Sequence, residues 1–510
     1  MFSELKRHPK GLYILFFTEM WERFSYYGMR AILVLYIVAK VKEGPLGGLG
    51  WNDVDALSLY GTYTMMVYLM SIPGGIIADK LLGQKKTVLI GGILLVAGHS
   101  ILAIHGVVPF YTGLVLIILG VGGLKPNIST MVGGLYKKGD IKRDEGFTIF
   151  YIGINVGAFL SSVIVGYIGE TIGWHYGFGL AGIGMALGLC VYFYGQKYLK
   201  NVGERIKEVT SSDVKGKDLF SKMLKDMTAL SMAVLFSLLG IYALIHGDIL
   251  SAFLIIFGAI GLGMGIVVYK SLSPVERDRV KVMLISFLII IVFWGAYEQA
   301  GGLMNLYTKD KINRFVLGFQ IPASVFQAVN PLIIMLCGTA IAAYWIKRNR
   351  KGKEESGIFK MAIGTIIMGS GFLFMSAASI QANSSVSGKA GLYWLIGAYF
   401  LHTIGELCSS PVSLSYITKL APARFGSIMM GLYFAATGLG NKLAGEIGEA
   451  SQTLGDLQTF TLIAVFVMFF GGLLLVFLKK LKAMSHGAED VLSDEDLLEE
   501  ENFEASGLVE

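Results

Sequence analysis

About fourteen stretches of this chain are long and apolar enough to cross a lipid bilayer, near residues 11–40, 54–79, 86–106, 110–135, 146–168, 175–199, 221–245, 250–271, 281–307, 322–347, 358–381, 391–419, 425–447 and 457–480. The hydrocarbon core is about 30 Å thick and needs about 20 residues of helix to span it. No water reaches that depth, so each backbone N–H and C=O must find its partner inside its own segment. Runs of this length therefore fold as helices. Composition supports this reading. The chain is 54% hydrophobic and 16% charged over 510 residues, whereas soluble domains are about one quarter charged. Its 66 glycines suit helices whose backbones approach closely in lipid. Residues 2–10 are polar and basic, and the apolar run that follows is too long for a cleavable leader. The expectation is an all-α integral membrane protein with 14 transmembrane helices.

Basic residues assign the two sides. They cluster before the first run (Lys6, Arg7, Lys10) and then in alternate loops, at Lys85 and Lys86, 137–143, 197–207, 277–281, 347–353 and 479–482. The positive-inside rule places both termini in the cytoplasm, in agreement with an even number of crossings. Residues 489–510 hold ten acidic side chains and no Lys or Arg, so the net +6 conceals a preceding body ten charges more positive. Such an excess belongs to cytoplasmic loops and is no argument for nucleic acid. Four regions follow: six runs in residues 1–200, a two-run insert with linkers in 201–280, six runs in 281–481, and an acidic, disordered tail in 482–510. Six plus six with cytoplasmic termini is the arrangement of a major-facilitator fold, whose solute site lies between the halves near the midplane. Cys190, Cys337 and Cys408 all sit in apolar runs, and no disulfide framework is indicated.

The first run is not uniformly apolar. Glu19, Glu22 and Arg23 fall at i, i+3 and i+4, and Tyr26, Tyr27 and Arg30 continue the same stripe. An uncompensated charge at that depth costs about 2.5–3.5 kcal/mol on insertion scales, so the stripe must face a protein-lined or watery interior. Further polar residues interrupt later runs: Lys125 beside Pro126, Asn155, Trp294, Glu298, Gln299, Asn330 before Pro331, and Glu406. Lys125 reads either as a cavity residue or as a side chain snorkelling from a helix end. Glu298 and Glu406 each read alone as structural partners between helices; facing Arg23, Arg30 and Lys125, they point to charges paired across a central cavity. The alternative for Glu19, Glu22 and Arg23 is a lock that only seats the first helix, although buried ion pairs stabilise weakly.

Six motifs in order resemble the proton-dependent oligopeptide transporter (POT) family. They are Glu19-x-x-Glu22-Arg23-Phe24-x-Tyr26-Tyr27, the loop from Gly74 and Gly75 through Ala78 and Asp79 to Gly83, Phe150-Tyr151-x-x-Ile154-Asn155-x-Gly157, Phe293-Trp294-x-x-x-Glu298-Gln299, Gln327-x-x-Asn330-Pro331, and Gly405-Glu406-Leu407-x-x-Ser410-Pro411. The two middle helices resemble the bacterial members. The resemblance implies symport of di- and tripeptides with protons by alternating access across a bacterial inner membrane. It further implies a monomer with no cofactor other than the coupling proton. A dipeptide is a zwitterion about 7 Å long when extended, so its site needs two poles. By the resemblance Arg30 and Lys125 take the peptide carboxylate, Glu406 takes the amino terminus, and Asn155 and Asn330 bond the peptide groups. Tyr26, Tyr27, Tyr68, Trp294 and Tyr433 line side-chain pockets, and Asp79 belongs to a gating loop. Glu19, Glu22, Arg23 and Glu298 carry proton coupling, since a carboxylate's hold on a proton is set by burial and by nearby cations.

Two departures stand out. Gly61 occupies the place of a second-helix histidine found in mammalian members, and Ser413 stands where glycine is common, which bears on local helix geometry. The histidines are scattered without metal spacing. Gly120-Val121-Gly122-Gly123 before Lys125 lacks the ending and the preceding strand of a phosphate loop. A facilitator for another solute (nitrate, a drug or a peptide-like antibiotic) and a peptide sensor without transport remain the alternatives. Retention of Glu19 and Glu22 favours peptide.

Overall fold

The structure is a computed structural model that describes residues 8–137, 140, 142–200, 202–204, 216–245, 249–354, 356–422 and 425–488. The tail at 489–510, the linker residues 205–215, and His246 and Asp248 lie outside the described residues. Almost everything described is helical. The first six long helices are α1 (Lys10–Val38), α2 (Asp53–Leu82), α3 (Gln84–Leu102), α4 (Val107–Gly134), α5 (Lys142–Thr171) and α6 (Trp174–Gly195). A short α7 (Gly216–Lys225) leads to α8 (Met227–Ile245) and α9 (Ile249–Lys270). The remainder comprises α10 (Pro274–Tyr297), a short α11 (Leu303–Lys311), α12 (Val329–Arg350), α13 (Gly357–Ser384), α14 (Leu392–Leu420), α15 (Gly426–Leu454) and α16 (Asp456–Met484). Ten spans among the described residues are apolar and long enough to cross a membrane. α1 falls outside that set because Glu22, Arg23 and Arg30 crowd its apolar half.

Local chemistry explains the ends and the breaks. The Asn52 side chain caps α2 by accepting from Asp55 N at 2.8 Å, and Asp53 and Asp55 complement the helix dipole. α10 opens with a capping box, Ser273 with Glu276, and Pro274 in the first turn. The seventh run was expected to be continuous from 221. It breaks at Asp226, whose carboxylate accepts from Ala229 N at 3.0 Å and from Lys270 Nζ at 2.8 Å. The ninth run also ends early. α10 stops at Tyr297, a 3-10 turn covers Glu298–Ala300, and Gly301 and Gly302 precede α11. A Cβ at Gly301 would strike the Tyr60 hydroxyl, so glycine there lets α2 approach the turn that carries Glu298. The tenth run likewise starts as a 3-10 turn, Ala323–Ala328, before α12. Pro126 and Pro411 sit inside α4 and α14 without ending them. α14 runs unbroken through Ser413, whose hydroxyl donates to Ser410 O at 3.0 Å.

Apolar packing separates the chain into sets. One buried cluster draws almost wholly on α1 to α6, from Leu12 to Leu199, and two others draw on Val268 onwards. α8 and α9 pack on each other and on α7, and they join the rest through Val268 and Leu272. Among the contacts that join α1–α6 to the later helices, two seams share no helix. In the first, α2 lies against α15 so closely that a Cβ on Gly61 would come within 2.7 Å of Gly445 Cα. In the second, α5 meets the Ala323–Ala328 turn and α12: the Glu170 carboxylate accepts from Ala323 N (3.1 Å), Ser324 N (2.7 Å) and Ser324 Oγ (2.5 Å). Both seams are tightest where α1 stops and α2 begins. That end of the molecule is closed.

Candidate functional site

Helical spacing brings the α1 stripe to one face, where it meets α2, α4, α5 and the second set of helices. Arg23 donates to Glu19 Oε1 from Nη2 at 2.5 Å and from Nε at 2.8 Å. Glu22 Oε2 lies 3.2 Å from Arg23 Nε, within ion-pair range, yet neither Glu22 oxygen is aligned for a hydrogen bond. Both acids are fully buried. Two turns further, Arg30 Nη1 donates to both Glu298 oxygens, at 2.9 and 3.1 Å, and the Tyr60 hydroxyl donates to Oε2 at 3.0 Å. This cluster ties α1, α2 and the end of α10 together at the closed end. The Tyr27 ring stands between the two arginines, its centroid 4.8 Å from the Arg30 guanidinium and 5.9 Å from that of Arg23.

A cavity of about 190 Å³ opens beside these groups. Arg23, Tyr27, Arg30, Lys125 and Asn155 line it from the first six helices, and Trp294, Asn330 and Glu406 line it from the later ones. Lys125 holds its ammonium 3.6 Å from the Tyr68 ring centroid, and among the described residues no carboxylate pairs with it. Asn155 Nδ2 donates to Tyr151 O at 2.9 Å. Asn330 Nδ2 donates to Glu406 Oε2 at 2.7 Å and to Thr403 Oγ1 at 3.1 Å. The cavity therefore has a carboxylate on one wall and three cations on the other. Cation–π contact holds Lys125 and neutral donors hold Glu406, whereas Arg23 and Arg30 are ion-paired with Glu19 and Glu298 behind the wall.

Other expected residues stand back from the cavity wall. Glu19, Glu22 and Glu298 lie behind the arginines they pair with. Tyr26 is buried edge-to-face against Tyr27, 5.5 Å between centroids. Tyr68 supports Lys125, and Tyr433 packs on the apolar cluster of α10 and its neighbours. Asp79 sits, exposed, in the π-helical turn Ala78–Leu82, away from the cavity. Conversely, Tyr151, Gln327, Tyr297, Tyr399, His402 and Ser410 line the wall without having been assigned roles. On α14, Tyr399, His402, Glu406 and Ser410 recur at spacings of three and four, so extending one helical face from Glu406 finds them. Among the described residues no group of three or more His, Cys, Asp or Glu is placed to hold a metal ion.

This geometry accords with what the chain is similar to. The profile of the POT family matches residues 85–456. The chain is 36% identical to a di-/tripeptide transporter of Lactococcus lactis subsp. cremoris, covering 92% of this chain and 95% of that one. It is 34% identical to the uncharacterized transporter YclF of Bacillus subtilis, over 94% and 96%. A crystal structure of a POT peptide transporter in complex with alafosfalin superposes with a TM-score of 0.78 at 35% identity, covering 94% of this chain and 96% of that one. A POT family transporter in complex with 5-aminolevulinic acid superposes with a TM-score of 0.78 at 30% identity, over 93% and 97%. The chain belongs to the POT family. It is a multi-pass membrane transporter of major-facilitator type, and not an enzyme.

Proposed function

We propose that the protein imports di- and tripeptides together with protons by alternating access, as a monomer in a bacterial inner membrane with both termini in the cytoplasm. The observation that carries this reading is the two-poled cavity, Glu406 on one wall and Arg30 and Lys125 on the other. A zwitterion with an amide between its charges meets such a site end to end. Glu406 takes the amino terminus, Arg30 and Lys125 take the carboxylate, and Asn155 and Asn330 bond the peptide group. Tyr27 and Trp294 border the side-chain space, with Tyr26, Tyr68 and Tyr433 supporting it from behind, and Asp79 acts in the loop that reorganises as the bundles rock. The bundles are residues 1–200 and 281–481, with 201–280 as the bridging insert and 482–510 as a cytoplasmic tail. With the termini inside, the closed end faces outward and the cavity faces the cytoplasm.

Arg30 supports the coupling step. It is bound to Glu298 through Nη1 in the closed gate and is also a wall of the cavity, so Glu298 and a peptide carboxylate compete for its one positive charge. A proton on Glu298 releases Arg30 to the peptide carboxylate and frees the gate to part. Glu22 is the second proton site. It is fully buried, neither of its oxygens is hydrogen-bonded, and Glu19 and Arg23 are its setting. No cofactor other than the proton enters this scheme. A related reading, transport of other compact zwitterions, is favoured by the relative solved with 5-aminolevulinic acid.

The test is dialanine uptake into proteoliposomes under an inward proton gradient, for the parent and for Glu22→Gln. Accumulation by the parent, with a variant that exchanges peptide but no longer concentrates it, supports symport with coupling on α1. Absence of accumulation by folded parent protein overturns the peptide reading.

A further inference from the structure

We infer that His402 is a specificity-determining residue of the cavity, offering a hydrogen bond to the first side chain of the bound peptide; this rests on the peptide reading above. His402 lies on α14 one turn from Glu406, on the same wall, and only 2% of its surface is exposed. Its ring stacks on Phe372 of α13, with centroids 4.5 Å apart and a tilt of 38°. The Nε2 edge presses against Gly371, where no Cβ would fit. Nε2 is buried without a partner. Nδ1 is not among the buried orphan atoms and has no bond to the protein, so the Nδ1 edge is the one that reaches the cavity.

A leucine or phenylalanine would fill the same space against Phe372 and leave no orphaned nitrogen. The imidazole therefore supplies something the protein alone does not use. His99 gives the contrast. It too is buried with both nitrogens unpartnered, but it packs beside Gly182 in the first apolar set and does not line this cavity. Orphaned nitrogen alone is not a site; here it coincides with a cavity wall and an open second nitrogen. Because Glu406 takes the amino terminus, the side chain of the first residue emerges beside it, within the reach of the neighbouring turn. Either tautomer of the imidazole serves a side chain that can both donate and accept, such as an amide.

The experiment measures competition by Asn-Ala and by Leu-Ala, which are close in shape, against labelled dialanine bound to purified protein in detergent. Parent, His402→Leu and His402→Gln are compared. The ratio of the Asn-Ala to the Leu-Ala affinity should fall about threefold to tenfold in His402→Leu, the span of one net hydrogen bond, and should recover partly in His402→Gln. The ratio of Ala-Asn to Ala-Leu should stay unchanged. A change confined to the second position, or no change at either, overturns the assignment. Failure of the parent to bind dialanine at all would instead sink the peptide reading beneath it.

Discussion

Glu406 holds its place through a strong bond from Asn330 Nδ2, 2.7 Å long, with the Tyr297 hydroxyl as a second donor, and it still faces the cavity. Glu406→Gln keeps the shape and the Asn330 contact but removes the charge. Hydrogen bonds to charged groups contribute about 1.5–3 kcal/mol, so affinity for dialanine should fall roughly 10- to 100-fold. N-acetyl-dialanine, which lacks the ammonium, should bind parent and variant alike; equal losses for both ligands would remove Glu406 from the amino pole. The residue chemistry of this wall was largely legible. The i, i+3, i+4, i+7 spacing put Glu19, Glu22, Arg23, Tyr26 and Arg30 on one stripe before any coordinates. Neighbouring tyrosines differ by 100° around a helix, and which of Tyr26 and Tyr27 meets the cavity depends on how α1 rotates against α2 and α5. That rotation is set by packing.

Helices show the opposite balance. Their number and rough limits follow from hydropathy, because a bilayer admits few alternatives. The interruptions were not legible. The polar pair Glu298 and Gln299 marks an interruption but not a break, and the turn there brings Gly301 against the Tyr60 hydroxyl of α2. The crossing of α2 and α15 is another contact of this kind. Gly61 reads in sequence as a missing histidine, and in space it is the point where two backbones nearly touch. Gly61→Leu should hold that seam apart and favour the state open at the end now closed. Spin labels at Glu43 and Val386, both exposed beyond that end, should then report a longer distance than in the parent. An unchanged distance distribution would mean that the crossing does not control closure.

Among the described residues, twelve long helices form the two sets that enclose the cavity and its gate, with α8 and α9 as an annex. α8 and α9 contribute nothing to the cavity wall and bury their apolar surface chiefly against each other. Replacing residues 216–270 with a flexible Gly/Ser linker of about thirty residues, whose r.m.s. span is about 30 Å, should leave peptide uptake within about twofold of the parent. Loss of uptake by a variant that still binds dialanine would give the annex a part in the transport cycle. The insert's blandness was visible in its lack of intramembrane charge; its isolation from the cavity needed the packing.

The two seams share no helix, and each is fastened by its own chemistry, close backbone at Gly61 and Gly445 with Lys442 on the Thr62 hydroxyl, and a three-pronged carboxylate at Glu170. A door secured along two edges behaves differently according to which fastening gives way first. If both release together, the halves part squarely and the whole mouth opens. If one holds, it becomes a hinge pin and the mouth opens as a wedge, admitting long, thin cargo along the freed edge while bulky side chains jam near the pin.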